Sequence, residues 1–333
     1  MSIAGPLTDR FGRVHTDLRI SVTDRCNIRC DYCIPARGVQ FRPHSAILSF
    51  EELERLVRVA AGLGIRKLRL TGGEPLVRKG ICHLVEMLSN VPGIEDVAMT
   101  TNGVLLAEYA EGLKAAGLQR LNVSLDTLKR EKFREISRRD ALPQVLEGIA
   151  AALRVGFRQV KLNAVARRGR SEEDVVPLAQ FARNLGLELR WIEFMPADGE
   201  DRWSSDQVLS GEEILRLLGE GIGPLEPVIE PKSRSPAVRY RFLDGRGSVG
   251  LITTVTGPFC SRCGRLRVTA EGTLRNCIFS PAGWDAREVL RGGGSDEHLA
   301  ELIRQAVLGK KKQHGADDGR LAPTDRAMHQ IGG

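Results

Sequence analysis

The sequence predicts an α/β protein with a parallel sheet, because short apolar runs alternate with amphipathic helical segments between Asp17 and Met195. Strands that alternate with helices are joined as right-handed βαβ units, and this places them parallel to one another. Alternate positions within these runs are polar, so only one face of the sheet is expected to pack against helices. The six runs are Leu18–Val22, Lys67–Leu70, Val97–Thr100, Leu121–Leu125, Val160–Val165 and Leu189–Phe194.

Helical segments between these runs carry signals at both ends. Ser49 with Glu52, and Ser171 with Asp174, have the spacing of a capping box at a helix start. Glycine follows four helices, where a left-handed residue ends a helix well: Gly64, Gly117, Gly156 and Gly186. The predicted helices are Glu51–Leu63, Leu105–Ala116, Pro143–Val155 and Asp174–Leu185.

Polar side chains on the strands predict an open barrel with a polar interior. Parallel strands covered on both faces are nearly all apolar, whereas these carry cations at every second position. Burying such cations in a closed core would cost too much desolvation energy. We therefore expect a partial barrel with an anionic ligand inside, its cations being Arg19, Arg69, Lys161 and Arg190.

After Met195 the pattern changes, which predicts a smaller α+β domain. A turn at Glu271–Gly272 separates Arg265–Thr269 from Leu274–Ile278 and indicates a hairpin. The predicted fold is thus a partial (β/α)6 TIM-type barrel over residues 10–200 and an α+β domain over 201–310. The tail, 311–333, is polar and predicts no packed element. Further helices are expected at Gly211–Leu218, Asp285–Leu290 and Asp296–Leu308.

Composition excludes several classes of protein. The 333 residues are 42% hydrophobic and 27% charged, which excludes a disordered chain. No apolar run is long enough for a membrane helix, and the first residues lack a signal peptide's apolar segment. The net charge of +7 suggests an anionic ligand more than nucleic acid. We expect a cytoplasmic protein that binds neither a membrane nor nucleic acid.

Two sets of three cysteines predict metal clusters. Cys26, Cys30 and Cys33 directly follow the first strand, at the end of a βα sheet where active sites form. Three thiolates cannot complete a four-cysteine shell, so one iron of a [4Fe–4S] cluster would stay open to a ligand. Cys82 is alone and is expected to be a small buried residue.

The second set is Cys260, Cys263 and Cys277, with Arg265 and Arg267 beside it. A zinc ribbon is the alternative, but zinc needs a fourth ligand, and no further cysteine and no histidine lies within about twenty residues of Cys277. Arginines beside an open cluster indicate a place where the substrate meets iron.

Gly72-Gly73-Glu74-Pro75 ends the second strand at the same edge of the sheet. Glycine lets backbone approach a ligand closely, and we expect Glu74 to accept a hydrogen bond from a cationic amine. Cys-x3-Cys-x2-Cys with Tyr32, followed by this motif, resembles the radical S-adenosylmethionine superfamily. The further segments Leu18–Cys26, Leu121–Thr127, Glu193–Pro196, Arg265–Gly272 and Gly332–Gly333 resemble the GTP 3′,8-cyclase family of molybdenum-cofactor biosynthesis.

The resemblance implies two [4Fe–4S] clusters, one on each cysteine set, with S-adenosylmethionine bound at Tyr32, Gly73, Ser124 and Met195. It also implies a catalytic role for the two downstream arginines and the glycines at the chain end, namely Arg265, Arg267, Gly332 and Gly333. GTP would be held by Arg19, Arg69, Thr100, Lys161, Arg190, Arg265 and Arg267.

The implied reaction is abstraction of the ribose C3′ hydrogen by a 5′-deoxyadenosyl radical, then attack of the C3′ radical on guanine C8. The implied partners are an electron donor and the next enzyme, cyclic pyranopterin monophosphate synthase, and the family is compatible with a homodimer. Two rival interpretations remain: a peptide-modifying radical enzyme, and a basic zinc protein that binds nucleic acid.

Overall fold

The structure is a computed structural model, and it describes residues 6–35, 39–197, 203–230, 235–281, 283–314, 324 and 326–332. Six strands alternate with helices in its first part, as the sequence predicts. The strands are β1 (Asp17–Ser21), β2 (Lys67–Thr71), β3 (Asp96–Thr101), β4 (Arg120–Ser124), β5 (Gln159–Ala166) and β6 (Glu188–Glu193). The helices are α1 (Phe50–Gly62), α2 (Ile81–Ser89), α3 (Leu106–Ala115), α4 (Arg130–Ser137), α5 (Leu142–Arg154) and α6 (Glu172–Asn184).

The second part adds shorter elements. These are α7 (Gly211–Gly221), β7 (Leu225–Pro227), β8 (Val238–Phe242), β9 (Ser248–Ile252), β10 (Arg265–Val268), β11 (Thr273–Arg275), β12 (Trp284–Asp285), α8 (Ala286–Arg291), α9 (Asp296–Leu308) and α10 (Met328–Ile331). Strands β10 and β11 form the predicted hairpin around Gly272.

Within the described residues all twelve strands belong to one sheet, in the order β12-β11-β10-β1-β2-β3-β4-β5-β6-β9-β8-β7. Strands β1 to β6 are parallel neighbours, and β10 and β9 continue the parallel run on either side. The later strands therefore extend both edges of the first sheet. The fold class is confirmed, whereas the domain boundaries at 200 and 310 stay a prediction.

Residues of alternating polarity divide the two faces of the sheet. In β5, Val160, Leu162 and Ala164 are buried in the apolar core with the helices, whereas Lys161 and Asn163 face a cavity. Because the strands from β1 to β6 all contribute polar residues to that one cavity, the sheet curves around it as a partial barrel.

One of the two predicted capping boxes is present. Ser49 and Glu52 exchange both hydrogen bonds at the start of α1. The expectation at Ser171 is wrong, because its hydroxyl instead donates to the carbonyl of Val165 and accepts from the amide of Arg167. Asp174 is buried and accepts from Thr127. The four glycines after helices all have positive φ, as predicted.

The expectation for the tail is also wrong in part, because Met328–Ile331 forms a short helix and Ile331 is fully buried. Contacts with the rest of the chain supply the apolar surroundings that the tail's own sequence lacks. In the described residues no helix is both long and apolar enough to cross a bilayer.

Candidate active site

A cavity of about 940 Å³, here called the chamber, lies on the polar face of the sheet. Its walls include the ends of β1 to β6, the loops after them and the segments on either side of β10. Nearly every residue assigned to the site from the sequence lies on these walls, and no described one is remote from them. They are Arg19, Cys26, Cys30, Tyr32, Cys33, Arg69, Gly73, Thr100, Ser124, Lys161, Arg190, Met195, Cys260, Cys263, Arg265, Arg267 and Cys277.

The loop after β1 carries the first cysteine set and is fixed by backbone hydrogen bonds. Cys33 and Ile34 both donate to the carbonyl of Cys30, at 3.0 and 2.9 Å, and this winds the loop into a tight turn. The side chain of Asn102 reaches Cys26, with its amide nitrogen 3.7 Å from the sulfur. The loop is therefore ordered by the protein itself.

Burial keeps the thiols of this first set protonated when no metal is bound. It raises the pKa of Cys26, raises that of Cys30 well above its usual value, and raises that of Cys33 to about 12. Because thiolate is the form that binds iron, loading a cluster must displace these protons.

Glycines after β2 allow the second loop to lie against the cysteine loop. A Cβ at Gly73 would collide with the carbonyl of Arg25, and the amide of Gly73 donates to the carbonyl of Thr23 at 2.7 Å. Only glycine fits such an approach. Gly73 thus brings the end of β2 next to the first cysteine set.

Glu74 has a structural role, and its expected hydrogen bond to a cationic amine stays a prediction. Its carboxylate is buried and accepts hydrogen bonds from Thr101 at 2.7 Å, from the amide of Asn102 at 2.6 Å and from the amide of Leu76 at 3.1 Å. Burial raises its pKa to about 7. Glu74 therefore ties the loops after β2 and β3 together, and it is not among the residues that line the chamber.

Tyr32 is oriented by a carboxylate on the opposite side of the barrel. Its hydroxyl donates to Asp126 at 2.7 Å, and the other oxygen of Asp126 accepts from the amide of Val165 at 2.8 Å. Burial raises the pKa of Tyr32 well above its usual value. This pair closes the chamber beside the first cysteine set.

Four strands supply a row of cations that the protein neutralises only in part. Arg19 forms no hydrogen bond or ion pair with any described residue, and Lys161 and Arg190 share Glu188 at 3.2 and 2.5 Å. Burial, and repulsion from Arg267, Arg265 and Arg69, lower the pKa of Arg19 well below its usual value. An anion in the chamber would relieve this repulsion.

The second cysteine set lies among cations. Arg265 donates through Nε to the sulfur of Cys263 at 3.3 Å. Burial raises the pKa of Cys263, but Arg265 and Lys310 outweigh burial and bring that pKa down to about 6. The two sites therefore differ: burial dominates at the thiols of the first set, whereas neighbouring cations outweigh burial at Cys263.

Two residues of this second site were missed by the sequence analysis. Lys310 is buried, and its ammonium donates to the carbonyls of Arg265 at 2.9 Å and Asn276 at 2.6 Å. His314 places Nδ1 3.1 Å from the sulfur of Cys260 and Nε2 3.1 Å from the carbonyl of Thr254. Both follow α9, far along the chain from the cysteines. The only local signal is the basic run Lys310–Lys312 followed by His314, at the boundary between the predicted domain and the predicted tail.

The described residues of the tail reach the chamber. The amides of Thr324 and Met328 donate to the carbonyls of Pro196 and Ala197, at 3.1 and 2.9 Å, directly after Met195. Arg267 donates to the carbonyl of Gly332. Gly332 has φ +82°, and a Cβ there would meet the hydroxyl of Thr71 at 3.1 Å. Gly333 lies outside the described residues.

The two cysteine sets fit [4Fe–4S] clusters by the chemistry of their donors. Each offers three free thiols to the chamber, and among the described residues no group of three His, Cys, Asp or Glu is arranged to hold a single metal ion. A cubane is wider than an ion, and three cysteines leave one of its irons open.

Comparison with known proteins agrees with this arrangement. The chain matches the family model of the radical SAM superfamily over residues 20–182 and that of Molybdenum Cofactor Synthesis C over residues 187–316. It is 48% identical to the GTP 3′,8-cyclase of Rhodopirellula baltica, covering 98% of this chain and 92% of the relative. It is 45% identical to the GTP 3′,8-cyclase of Pelotomaculum thermopropionicum, over 98% of this chain and 100% of the relative.

The chain belongs to the GTP 3′,8-cyclase family. As a member of this family it is a radical S-adenosylmethionine enzyme, and its cofactors are iron–sulfur clusters of the [4Fe–4S] type and S-adenosylmethionine.

Solved structures share its fold at low sequence identity. Streptococcus suis SuiB bound to S-adenosylmethionine has a TM-score of 0.60 at 17% identity, over 87% of this chain and 68% of that one. The protein anSMEcpe with bound AdoMet has a TM-score of 0.59 at 14% identity, over 89% and 78%. At such identities these likenesses concern the fold alone.

Proposed function

We propose that this chain cyclises GTP to (8S)-3′,8-cyclo-7,8-dihydroguanosine 5′-triphosphate, the first step of molybdenum-cofactor biosynthesis. The observation that carries the proposal is one chamber with a cysteine set on each side and a row of incompletely neutralised cations between them. A nucleoside triphosphate carries the negative charge that would neutralise this row of cations.

Cys26, Cys30 and Cys33 hold the first cluster, and Tyr32, Gly73, Ser124 and Met195 hold S-adenosylmethionine beside it. Their common position on the chamber wall supports this assignment. The chemistry that these cofactors would supply when bound is a 5′-deoxyadenosyl radical able to abstract the C3′ hydrogen of the ribose. The C3′ radical then attacks guanine C8, and the purine radical so formed takes up one electron, from the external donor, and one proton to give the dihydro product.

The cations of the chamber bind and orient GTP. Arg19, Arg69, Lys161 and Arg190 face the phosphates, and the planar guanidinium groups form paired hydrogen bonds with phosphate oxygens. The hydroxyl of Thr100 lies 3.5 Å from Arg69 and holds that arginine toward the ligand. The phosphates thereby fix the position of the ribose relative to the radical.

Cys260, Cys263 and Cys277 hold the second cluster, and Arg265 and Arg267 place the guanine end of GTP beside it. The hydrogen bond from Arg267 to Gly332 supports a catalytic role for the chain end, Gly332 and Gly333, because the tail then covers the reacting ribose and excludes water.

The wider assignments follow from this function. The chain acts in the cytoplasm, it receives electrons from a donor protein, and it hands its product to cyclic pyranopterin monophosphate synthase. A homodimer is the proposed assembly. The peptide-modifying alternative is favoured by the fold likeness to SuiB, which was also solved bound to the precursor peptide SuiA, but a peptide would not explain the row of cations.

The test is to purify the protein anaerobically, measure iron, sulfide and zinc, and incubate it with dithionite, S-adenosylmethionine and GTP. We expect iron and sulfide for two clusters, and 5′-deoxyadenosine formed only when GTP is present in addition to the reductant. Zinc without iron or sulfide would contradict the proposal, as would 5′-deoxyadenosine formation that a ribosomal peptide supports and GTP does not.

A further inference from the structure

Five arginines surround the loop that carries the first cysteine set, and we call them the arginine patch: Arg25, Arg29, Arg42, Arg138 and Arg139. Four of them are exposed and Arg29 is half-buried. None of the roles assigned above uses the patch, since its guanidinium groups lie outside the chamber walls.

Contacts between three segments hold the patch together. The guanidinium groups of Arg25 and Arg29 both lie against the ring of Phe41, at 5.8 and 5.4 Å from its centre. The amide of Arg42, the next residue, donates to Asp24 at 2.6 Å. The segment around Phe41 is therefore fixed against the start of the cysteine loop.

The end of α4 supplies the other two arginines. Arg138 has a left-handed backbone at φ 54°, and this turn sends its guanidinium to the carbonyl of Ile34 at 3.0 Å. Arg139 donates to the carbonyl of Asn27 at 2.7 Å. Both carbonyls belong to the cysteine loop, so these charges lie directly beside the first cluster's ligands.

Carboxylates near the patch do not neutralise it. Asp31 pairs with Arg167 at 3.0 Å and with Arg170 at 3.2 Å, and Asp140 receives two hydrogen bonds of 2.8 Å from Arg130. Asp24 is buried. Within the described residues no patch arginine forms an ion pair, so the surface over the first cluster carries a positive excess.

We propose that the arginine patch is the docking surface for the protein that reduces the first cluster, and that this partner is a small acidic one-electron carrier. The inference rests on the proposed function, because reductive cleavage of S-adenosylmethionine requires one electron from outside the chain in each cycle. In the docking step the carrier loses one electron and the cluster gains it. A reduced flavin anion becomes the neutral semiquinone, so no proton is transferred.

Charge complementarity suits this type of partner. Electron-transfer complexes have small, short-lived interfaces, and their rates depend on electrostatic attraction more than on buried area. A ring of long, exposed guanidinium groups around a half-buried cofactor loop gives such attraction and places the carrier close to the cluster's ligands.

The experiment uses the reconstituted full chain and an acidic flavodoxin in its two-electron-reduced form. Stopped-flow absorbance measures the second-order rate of cluster reduction, and calorimetry measures binding of the oxidised flavodoxin. The variant is Arg25→Glu/Arg42→Glu, whose side chains donate no hydrogen bond to a described residue. The matched control is Arg58→Glu/Arg158→Glu, which has the same net charge, is also exposed, and alters α1 and the loop before β5.

In the unaltered chain we expect reduction by flavodoxin to slow at least about tenfold between about 20 and 200 mM salt. In the patch variant we expect the rate of reduction by flavodoxin to fall about tenfold at low salt and to depend little on salt, and flavodoxin binding to weaken. The rate in the control variant should stay within about twofold of the unaltered chain. Reduction by the methyl viologen radical cation needs no docking surface, and the added carboxylates attract this cation, so its rate in the patch variant should be at least that of the unaltered chain.

If flavodoxin reduced the cluster of the patch variant as fast as that of the unaltered chain, the inference would be overturned. An equal loss of this rate in the control variant would overturn it as well. A loss with methyl viologen in the patch variant alone would also overturn it, because the arginines would then act on the cluster itself. If the unaltered chain were reduced by neither reagent, the proposed function would fail, and the inference would fail with it. Calorimetry with duplex DNA tests the other class of partner. If the patch variant lost DNA binding but kept flavodoxin binding, the patch would be a nucleic-acid surface and the inference would be wrong.

Discussion

Arg267 donates a hydrogen bond to the carbonyl of Gly332, although 65 residues separate the two in the chain. Arg267 lies on β10 beside β1, and Gly332 packs against Ser21 and Thr71 at the ends of β1 and β2. Gly332 is thus held at the same end of the sheet as the first cysteine loop.

The contact between Arg267 and Gly332 predicts that the chain end is needed for product formation. Deleting Gly332 and Gly333 should leave the iron content and the thermal unfolding midpoint unchanged while product, measured by liquid chromatography, falls sharply. A peptide with the sequence of the last dozen residues should restore part of the activity. A truncated enzyme as active as the full chain would show that the tail has no catalytic part.

Replacing a cysteine of the first set should have a different effect on the reaction from replacing one of the second set. Cys30→Ala should abolish 5′-deoxyadenosine formation, because no radical starts without the first cluster. Cys263→Ala should lose cyclised product but retain some S-adenosylmethionine cleavage. Cys82→Ala is the control, since Cys82 packs near Gly112 on α3 and does not line the chamber. Formation of 5′-deoxyadenosine by Cys30→Ala would contradict the assignment of the first set.

Among the cations, Arg19 should matter most for GTP because it has no described partner within the protein. Arg19→Ala should weaken GTP binding by about 1.5–3 kcal/mol, the value of a charged hydrogen bond. Lys161→Ala and Arg190→Ala should cost less, since these residues share Glu188. Calorimetry with GTP and guanosine tests this, with the exposed Arg158→Ala as control. Equal losses for both ligands would contradict a role at the phosphates.

In the metal-free protein, Cys263 should be alkylated more readily near neutral pH than the three cysteines of the first set. Its pKa of about 6 makes it mostly thiolate at pH 7, whereas Cys33, with a pKa of about 12, remains a thiol. Labelling with iodoacetamide at a series of pH values, read by mass spectrometry, should give a midpoint near 6 for Cys263.

Removing a cation should move that midpoint upward, because the cation favours the thiolate. Lys310→Met is the variant of choice, since Lys310 contacts the second site without touching a sulfur. A midpoint near the ordinary value of 9.0 for Cys263 in the unaltered chain would show that the cations do not act on it.

Periodic and local signals in the sequence predicted much of the fold and the site. The polar residues of β5 and its neighbours alternate with apolar ones, and alternation alone places Lys161 and Arg190 on the chamber side. The cysteines follow a strand, and in a parallel sheet that position determines which end they occupy.

Contacts between distant segments could not be predicted in this way. His314 reaches Cys260 only because α9 returns the chain to the sheet, and nothing in the local sequence of either residue indicates this. Ser171 matched a capping pattern, but Thr127 and Lys132 compete for Asp174 from another loop and helix. Glu74 comes directly after a glycine pair at the site, but its carboxylate accepts hydrogen bonds from the amides of Asn102 and Leu76, and the local sequence does not indicate these contacts.

The central claim is that a radical formed at the first cysteine set acts on GTP held by the cations of the chamber. The most direct measurement is the deuterium content of 5′-deoxyadenosine formed with GTP that carries deuterium at C3′. We predict 5′-deoxyadenosine with one deuterium atom, together with a cyclised product that has lost it. Unlabelled 5′-deoxyadenosine formed beside intact GTP would contradict the account.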